Sequence, residues 1–279
     1  MQPPATGTVR LVPEPPALAA LHDGEMPQKD QLCGAFWGAL VLAAAGHAAD
    51  QDEVALGAGT TLATGDPSEW LPPGASPRTD YRLSIPVAED EPSSGTSASG
   101  VARAIEDLSG DALAVVPVAG PWNAQMVVHL VEAVASQFQA GGSSGCTLVA
   151  NGRTGQLWGS RPGPRLLLDH LAGRVVEPPP ADWDCGHFLG IVGSVAGPGG
   201  SLVILRDTYR QLGWGGHHLQ PAAAVAAALR RDDGKGGGVL CVCESEAAGP
   251  LAGGLGEAGF EIGLWDNGSA DARGGRDDR

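Results

Sequence analysis

The stretch Pro27-Gln28-Lys29-Asp30-Gln31-Leu32-Cys33-Gly34-Ala35-Phe36-Trp37-Gly38 sets one cysteine at the border between a polar, turn-prone segment and a strongly apolar one. From Gly34 to Ala45 the residues are small or apolar, and Phe36, Trp37, Leu40, Val41 and Leu42 spread nearly all round a helical projection. A helix with no face for water is predicted to be the central buried one. Cys33 then lies at its N-terminus, where unpaired backbone N–H groups and the helix dipole stabilise negative charge. The anionic form of a thiol is the nucleophile, so Cys33 is the candidate for one.

A second informative piece lies far downstream. Gly186-His187-Phe188-Leu189-Gly190-Ile191-Val192-Gly193 and Ser201-Leu202-Val203-Ile204-Leu205-Arg206-Asp207 are β-rich runs on either side of a Gly/Pro turn, which reads as a hairpin. A hairpin symmetric about Gly197 sets Gly193 opposite Ser201 and His187 directly opposite Asp207. Opposed residues of an antiparallel pair have Cβ atoms about 4.5–5.5 Å apart, within reach of an imidazole–carboxylate hydrogen bond. A slip of one residue would turn them to opposite faces. Thiol acyl transfer needs a nucleophile, a base that later serves as acid, a group that orients the base, and donors for the oxyanion. Cys33, His187 and Asp207 supply the first three.

A glutamine shortly before a Cys-Gly that opens an apolar helix, followed much later by His and then Asp, resembles the papain-like cysteine peptidases. The resemblance is greatest to the bacterial branch that trims leader peptides from bacteriocin precursors, and it covers two islands, residues 27–45 and 186–209. It implies an α+β fold in which the Cys33 helix packs on an antiparallel sheet carrying His187 and Asp207. It also implies an oxyanion hole made by a glutamine side chain and the Cys33 backbone N–H. Gln28, five residues before the cysteine, fits the family spacing better than Gln31. Ala35 stands where the family usually has proline, which leaves the chemistry intact. The activity implied is that of a cysteine peptidase or thiol acyltransferase acting on a peptide, with precursor-peptide processing in bacterial natural-product biosynthesis as the specific case. A cofactor-independent peptide epimerase using the same Cys–His pair, and a peptide-binding module without turnover, are the alternatives.

The chain of 279 residues, 43% apolar, is long enough for a sizeable core. The predicted organisation is one papain-like domain over residues 1–266, with an unaligned insertion at 57–180, followed by a polar, glycine-rich and disordered tail at 267–279. A net charge of −15 disfavours nucleic acid and anionic membrane surfaces and leaves a neutral or basic peptide as the easier partner. The longest apolar run, Ala39 to Ala45, is far short of a membrane span, and no signal-like segment opens the chain, so a cytoplasmic protein is expected. Five irregularly spaced cysteines (Cys33, Cys146, Cys185, Cys241, Cys243) argue for reduced thiols.

No cofactor or metal is expected. The spacing of Cys185, His187, Cys241 and Cys243 is narrower than structural zinc sites prefer, there is no P-loop, and the glycines at 254, 256 and 259 lead into a strand instead of opening a helix. Trp37, Trp183 and Trp214 are candidates to line a substrate groove, while His217 and His218, in a glycine-rich stretch, are expected to be exposed. Elsewhere the pattern predicts strands at Tyr81–Val87, Ala112–Val118 (an edge, because of Pro117), Val239–Glu244 and Phe260–Trp265. Helices are predicted at Trp122–Phe138 and Pro221–Arg231, and a hairpin turn at Asn151-Gly152.

Overall fold

The apolar segment after the Gln28 loop forms α2 (Cys33–Ala44), preceded by β1 (Thr8–Leu11) and α1 (Leu18–Glu25). The computed structural model describes residues 7–66, 70–89, 93–141 and 145–270. Two further helices, α3 (Gln51–Ala58) and α4 (Ala98–Ser109), precede β2 (Leu113–Ala119), α5 (Ala124–Gly141), β3 (Cys146–Arg153) and α6 (Pro164–Leu171). Then come β4 (Gly186–Ala196), β5 (Ser201–Arg206), β6 (His217–Pro221), α7 (Ala222–Arg230), β7 (Gly238–Glu244), α8 (Ser245–Glu257) and β8 (Glu261–Ile262). The fold is α+β, with one antiparallel sheet in the order β6-β5-β4-β3-β7-β2-β8 and β1 added against the last residues of β4.

The inner strands are apolar on both faces because both are covered. Val116, Leu148, Leu189 and Cys241 point toward α5, α7 and α8, whereas their neighbours Val115, Val149, Phe188 and Leu240 point toward α1 to α4. In the second layer α2 is buried from Gly34 to Leu42, and its small residues explain how. A Cβ on Gly34 would lie 2.8 Å from Val101 of α4, and one on Gly38 would lie 2.6 Å from Val54 of α3. The helices therefore approach at these glycines. Asp50 caps α3 in a capping box with Glu53, which fixes the position of Gln51 and Asp52 on its first turn.

Trp37 is fully buried and stacks 5.7 Å from His22, so it does not line a substrate groove as the sequence suggested. Its indole lies over Gly190 of β4, where a Cβ would be 2.5 Å from Cη2, and it keys α2 to the sheet.

Several other expectations change. Asn151-Gly152 is not a turn, since β3 continues through it and pairs Gly152 with His187. Glycine is needed there because the Ala228 carbonyl oxygen of α7 would stand 2.7 Å from a Cβ, a tertiary demand that overrides the local turn signal. Tyr81–Val87 does not form a strand beyond a single bridge between Leu62 and Val87, because the N–H groups of Arg82 and Leu83 are taken by the Asp52 carboxylate. Pro117 lies one strand inside the edge, next to the two-residue β8, which is all that forms of the predicted 260–265 strand. Residues 57–180, the stretch read as an unaligned insertion, supply β2 and β3 from within the sheet. Of the predicted tail, 271–279 lies outside the described residues, while Asn267 is buried and donates to the Thr96 carbonyl at 3.0 Å. Among the described residues no helix is long and apolar enough to cross a membrane.

The Gly190–Trp37 contact gives a test of how α2 is seated. Gly190→Ala is expected to destabilise the protein by about 1–3 kcal/mol, as overpacking of a filled core does, read by urea unfolding. An unchanged midpoint would contradict this packing.

Candidate active site

Cys33 is the first residue of α2, so its own N–H has no acceptor within the helix. The loop that delivers it is fixed from several sides. Gln28 N–H donates to the Thr208 carbonyl at 3.1 Å, and Asp30 N–H to the Arg78 carbonyl at 2.9 Å. Lys29 N–H donates to Gln51 Oε1 at 2.8 Å, and its ammonium forms a buried ion pair with Asp52 at 2.7 Å. Tyr81 donates to the Asp30 carbonyl. Gln31 adopts a left-handed backbone with φ 62° and spends both ends of its side chain on the backbone of Ala63. Of the two glutamines, Gln31 is thus tied to the loop, and Gln28 faces the site with its Oε1 accepting from the Thr208 hydroxyl at 2.6 Å. That bond fixes the amide and leaves Nε2 as the donor end.

His187 and Asp207 meet, but not in the predicted register. Ala196 pairs with Ser201 and Gly193 with Ile204, and a bulge at Val192 then shifts the pairing so that Ile191 meets Leu205 and Gly190 meets Arg206. Continued to the end of β5, this register sets Asp207 opposite Leu189, which makes it the diagonal neighbour of His187 on the same face. Without the extra residue at Val192 the two side chains would fall on opposite faces. His187 Nε2 lies 3.2 Å from Asp207 Oδ1, and the carboxylate also accepts from Thr208 N–H at 2.7 Å. With Nε2 turned to Asp207, Nδ1 is the ring nitrogen left for the Cys33 thiol, which interacts with this imidazole.

The electrostatics follow from this geometry. Burial alone would lower the pKa of His187, but the charge and hydrogen bond of Asp207, together with the nearby Cys33, more than offset it and raise it to about 10. Burial likewise pushes Asp207 upward, and the imidazoles of His187 and His218 outweigh it, holding the carboxyl well below its usual range. The pair is therefore an imidazolium and a carboxylate at neutral pH.

A cavity of about 480 Å³ opens over these groups, lined by Gln28, Cys33, His187, Trp183 and Cys185 and extending to Arg153. Trp183 stands edge-on to the His187 ring at 4.9 Å and to Tyr209 at 5.7 Å, so it shields the imidazole as well as lining the cavity. Trp214 is half exposed, in a tight turn between Gly213 and Gly215, and is not part of this lining, contrary to expectation. All five cysteines are free thiols. Cys185 shares the cavity, but burial pushes its thiol up, which keeps it protonated. Cys241 and Cys243 are buried in β7 among the residues packed on α5 and do not line this cavity. Among the described residues no cluster of His, Cys, Asp and Glu has the arrangement of a metal site.

Two residues of this neighbourhood escaped the sequence reading. Thr208 bridges Gln28 and His187, with its hydroxyl 3.4 Å from Nε2, and only its place next to Asp207 hinted at this. His218, expected to be exposed, is buried with Nε2 3.6 Å from Asp207 Oδ2. The readable signal was the alternation of His218 and Gln220, which puts both on one face of β6.

A folded-state pKa raised from 6.5 to about 10 means that His187 contributes stability below pH 6.5 and loses it as the pH climbs toward 10. The stability difference between the wild type and His187→Gln is expected to shrink over that window, by at most about 1.4 kcal/mol per pH unit, in urea unfolding at a series of pH values. A difference that stays constant from pH 6.5 to 10 would contradict the charged pair.

No curated protein matches the chain. Residues 12–266, nearly the whole of the described structure, match one family, and the chain belongs to it: DUF6885, a family of unknown function.

Proposed function

We propose that this protein is a papain-like cysteine peptidase or thiol acyltransferase acting on a peptide. The observation that carries the reading is the meeting of Cys33 at a helix N-terminus, the buried His187–Asp207 pair and the Gln28 amide around one cavity. Cys33 Sγ attacks the substrate carbonyl, and the C–S bond forms as the carbonyl π electrons move to oxygen. Gln28 Nε2 and the Cys33 N–H stabilise that oxyanion. The imidazolium of His187 gives its proton to the leaving amine as the carbon–nitrogen bond breaks, then takes one from the water or amine that resolves the thioester. Asp207 holds the ring in register and favours its charged form throughout. The polar, partly enclosed cavity suits a short peptide segment. Removal of a leader from a precursor peptide is the case that the resemblance of residues 27–45 and 186–209 supports.

Iodoacetamide at neutral pH, followed by peptide mapping, is expected to label Cys33 ahead of Cys185 and the three core cysteines. His187→Gln is expected to slow that labelling by roughly 100-fold or more, the scale of a lost acid–base partner. Incubated in deuterated water with a panel of synthetic peptides, the protein should yield shortened fragments, whereas intact peptides heavier by one deuteron would mark an isomerase. Labelling of Cys33 no faster than that of Cys185 would overturn thiol catalysis.

A further inference from the structure

Asp207 lies just past the end of β5, between β4 and β6, and each of these strands sends a histidine toward it. On the β4 side this is His187. On the β6 side His218 pairs with Leu205, which makes it the diagonal neighbour of Asp207 as His187 is from the other strand. Three adjacent strands thus place imidazole, carboxylate and imidazole in one row. All three side chains are at most 3% exposed.

The second imidazole is itself held. Gln220, fully buried and two residues further along β6, accepts from Trp158 N–H at 2.8 Å through Oε1 and donates to the Trp158 carbonyl at 2.9 Å through Nε2. These two bonds fix the amide, so its Nε2 also donates toward His218 Nδ1, 3.0 Å away. Nδ1 is then an acceptor, and the ring proton of a neutral His218 resides on Nε2. That Nε2 is buried without a hydrogen-bond partner and faces Asp207 Oδ2 from 3.6 Å. Oδ1 of the same carboxylate is meanwhile occupied by His187 and by Thr208 N–H. The two oxygens are thus divided between the two histidines. Among the described residues, Asp182 also lies near His218, across a small cavity that touches Asp207 and Ser160, and His217 is its neighbour on the same strand. Asp182 is engaged by Ser160 N–H at 2.7 Å.

We infer that His218 is a positioning residue of the proposed thiol site: it steadies the Asp207 carboxylate from behind, through the Trp158–Gln220–His218 chain, so that Oδ1 stays on His187. It touches neither the cavity's Cys33 nor a substrate, and acts only through Asp207. The inference rests on the reading of Cys33, His187 and Asp207 as a thiol acyl-transfer site, but its geometry stands apart from any activity.

The test follows the His187 ring by nitrogen-15 NMR in the full chain, alongside the pH profile of Cys33 alkylation by iodoacetamide. His218→Leu removes the donor and is expected to lower the pH at which His187 loses its proton by about one unit or more, since the carboxylate that supports its charge is less well held. The alkylation profile should shift by the same amount. His218→Gln, whose Nε2 reaches a similar position, is expected to keep both within about half a unit of the wild type. Gln220→Met, which frees the His218 ring, gives an independent arm in case His218→Leu does not fold, and should move the titration in the same direction. An unchanged His187 titration in a folded His218→Leu or Gln220→Met protein would overturn the inference, as would equal shifts in His218→Leu and His218→Gln. If wild-type Cys33 is not selectively alkylated, the acyl-transfer reading fails, while the NMR titration still decides whether His218 positions Asp207.

Discussion

The carboxylate of Asp207 is the point on which the rest of the site depends. A buried charge is costly unless it is paired and hydrogen-bonded, and this one draws partners from every neighbouring element. Its side chain meets His187 of β4 and His218 of β6, and its backbone carbonyl accepts from His22 Nε2 of α1 at 2.7 Å. The next residue, Thr208, carries the connection to the Gln28 loop through both its carbonyl and its hydroxyl. One acidic residue at a strand end therefore couples the sheet to the loop that presents Cys33. His22 shows the same coupling in reverse, since burial and the charge of Arg206 lower its pKa to about 4, keeping it neutral as a donor to the Asp207 backbone.

The other half of the site is a problem of helix placement. Cys33 can approach His187 only if α2 lies close to the sheet, and the close approach is built from absences of side chain at Gly34, Gly38 and Gly190. Trp37 fills the space over Gly190 and fixes the depth of the helix, while the buried Lys29–Asp52 pair sets the loop before it. Breaking either partner of such a pair leaves an uncompensated charge, so the loop is held more firmly than its polar sequence suggests. The position of Cys33 is thus fixed by packing on one side and by buried polar contacts on the other.

Much of this was legible in the sequence because it was local. The all-round apolar character of Gly34–Ala45 announced a buried helix, and the two β-rich runs around Gly197 announced the hairpin that carries His187 and Asp207. The bulge at Val192 was not legible, since nothing in the residue types there distinguishes it, and the correct pairing of His187 with Asp207 was expected from a register that does not occur. Asn151-Gly152 carried a turn signal that the close passage of α7 overrides. In the middle of the chain, outside the two islands of resemblance, the apolar run at Ala112–Val118 was legible as the strand that forms β2, whereas its place one strand inside the sheet was not, because the covering β8 is only two residues long. His218 was misjudged because the glycines around it suggested exposure, although its alternation with Gln220 on β6 was there to be read.

The central claim is spatial: the sulfur of Cys33 and the ring of His187, 154 positions apart by their numbers, share one short gap. 1,3-Dibromoacetone, whose two reactive carbons are separated by a single carbonyl, bridges a thiol and an imidazole only when they are that close. Peptide mapping after treatment of the folded protein should recover the Cys33 and His187 peptides joined to each other, with the link absent in Cys33→Ser and in urea. Recovery of Cys33 joined to Cys185, or modified with His187 untouched, would contradict the account.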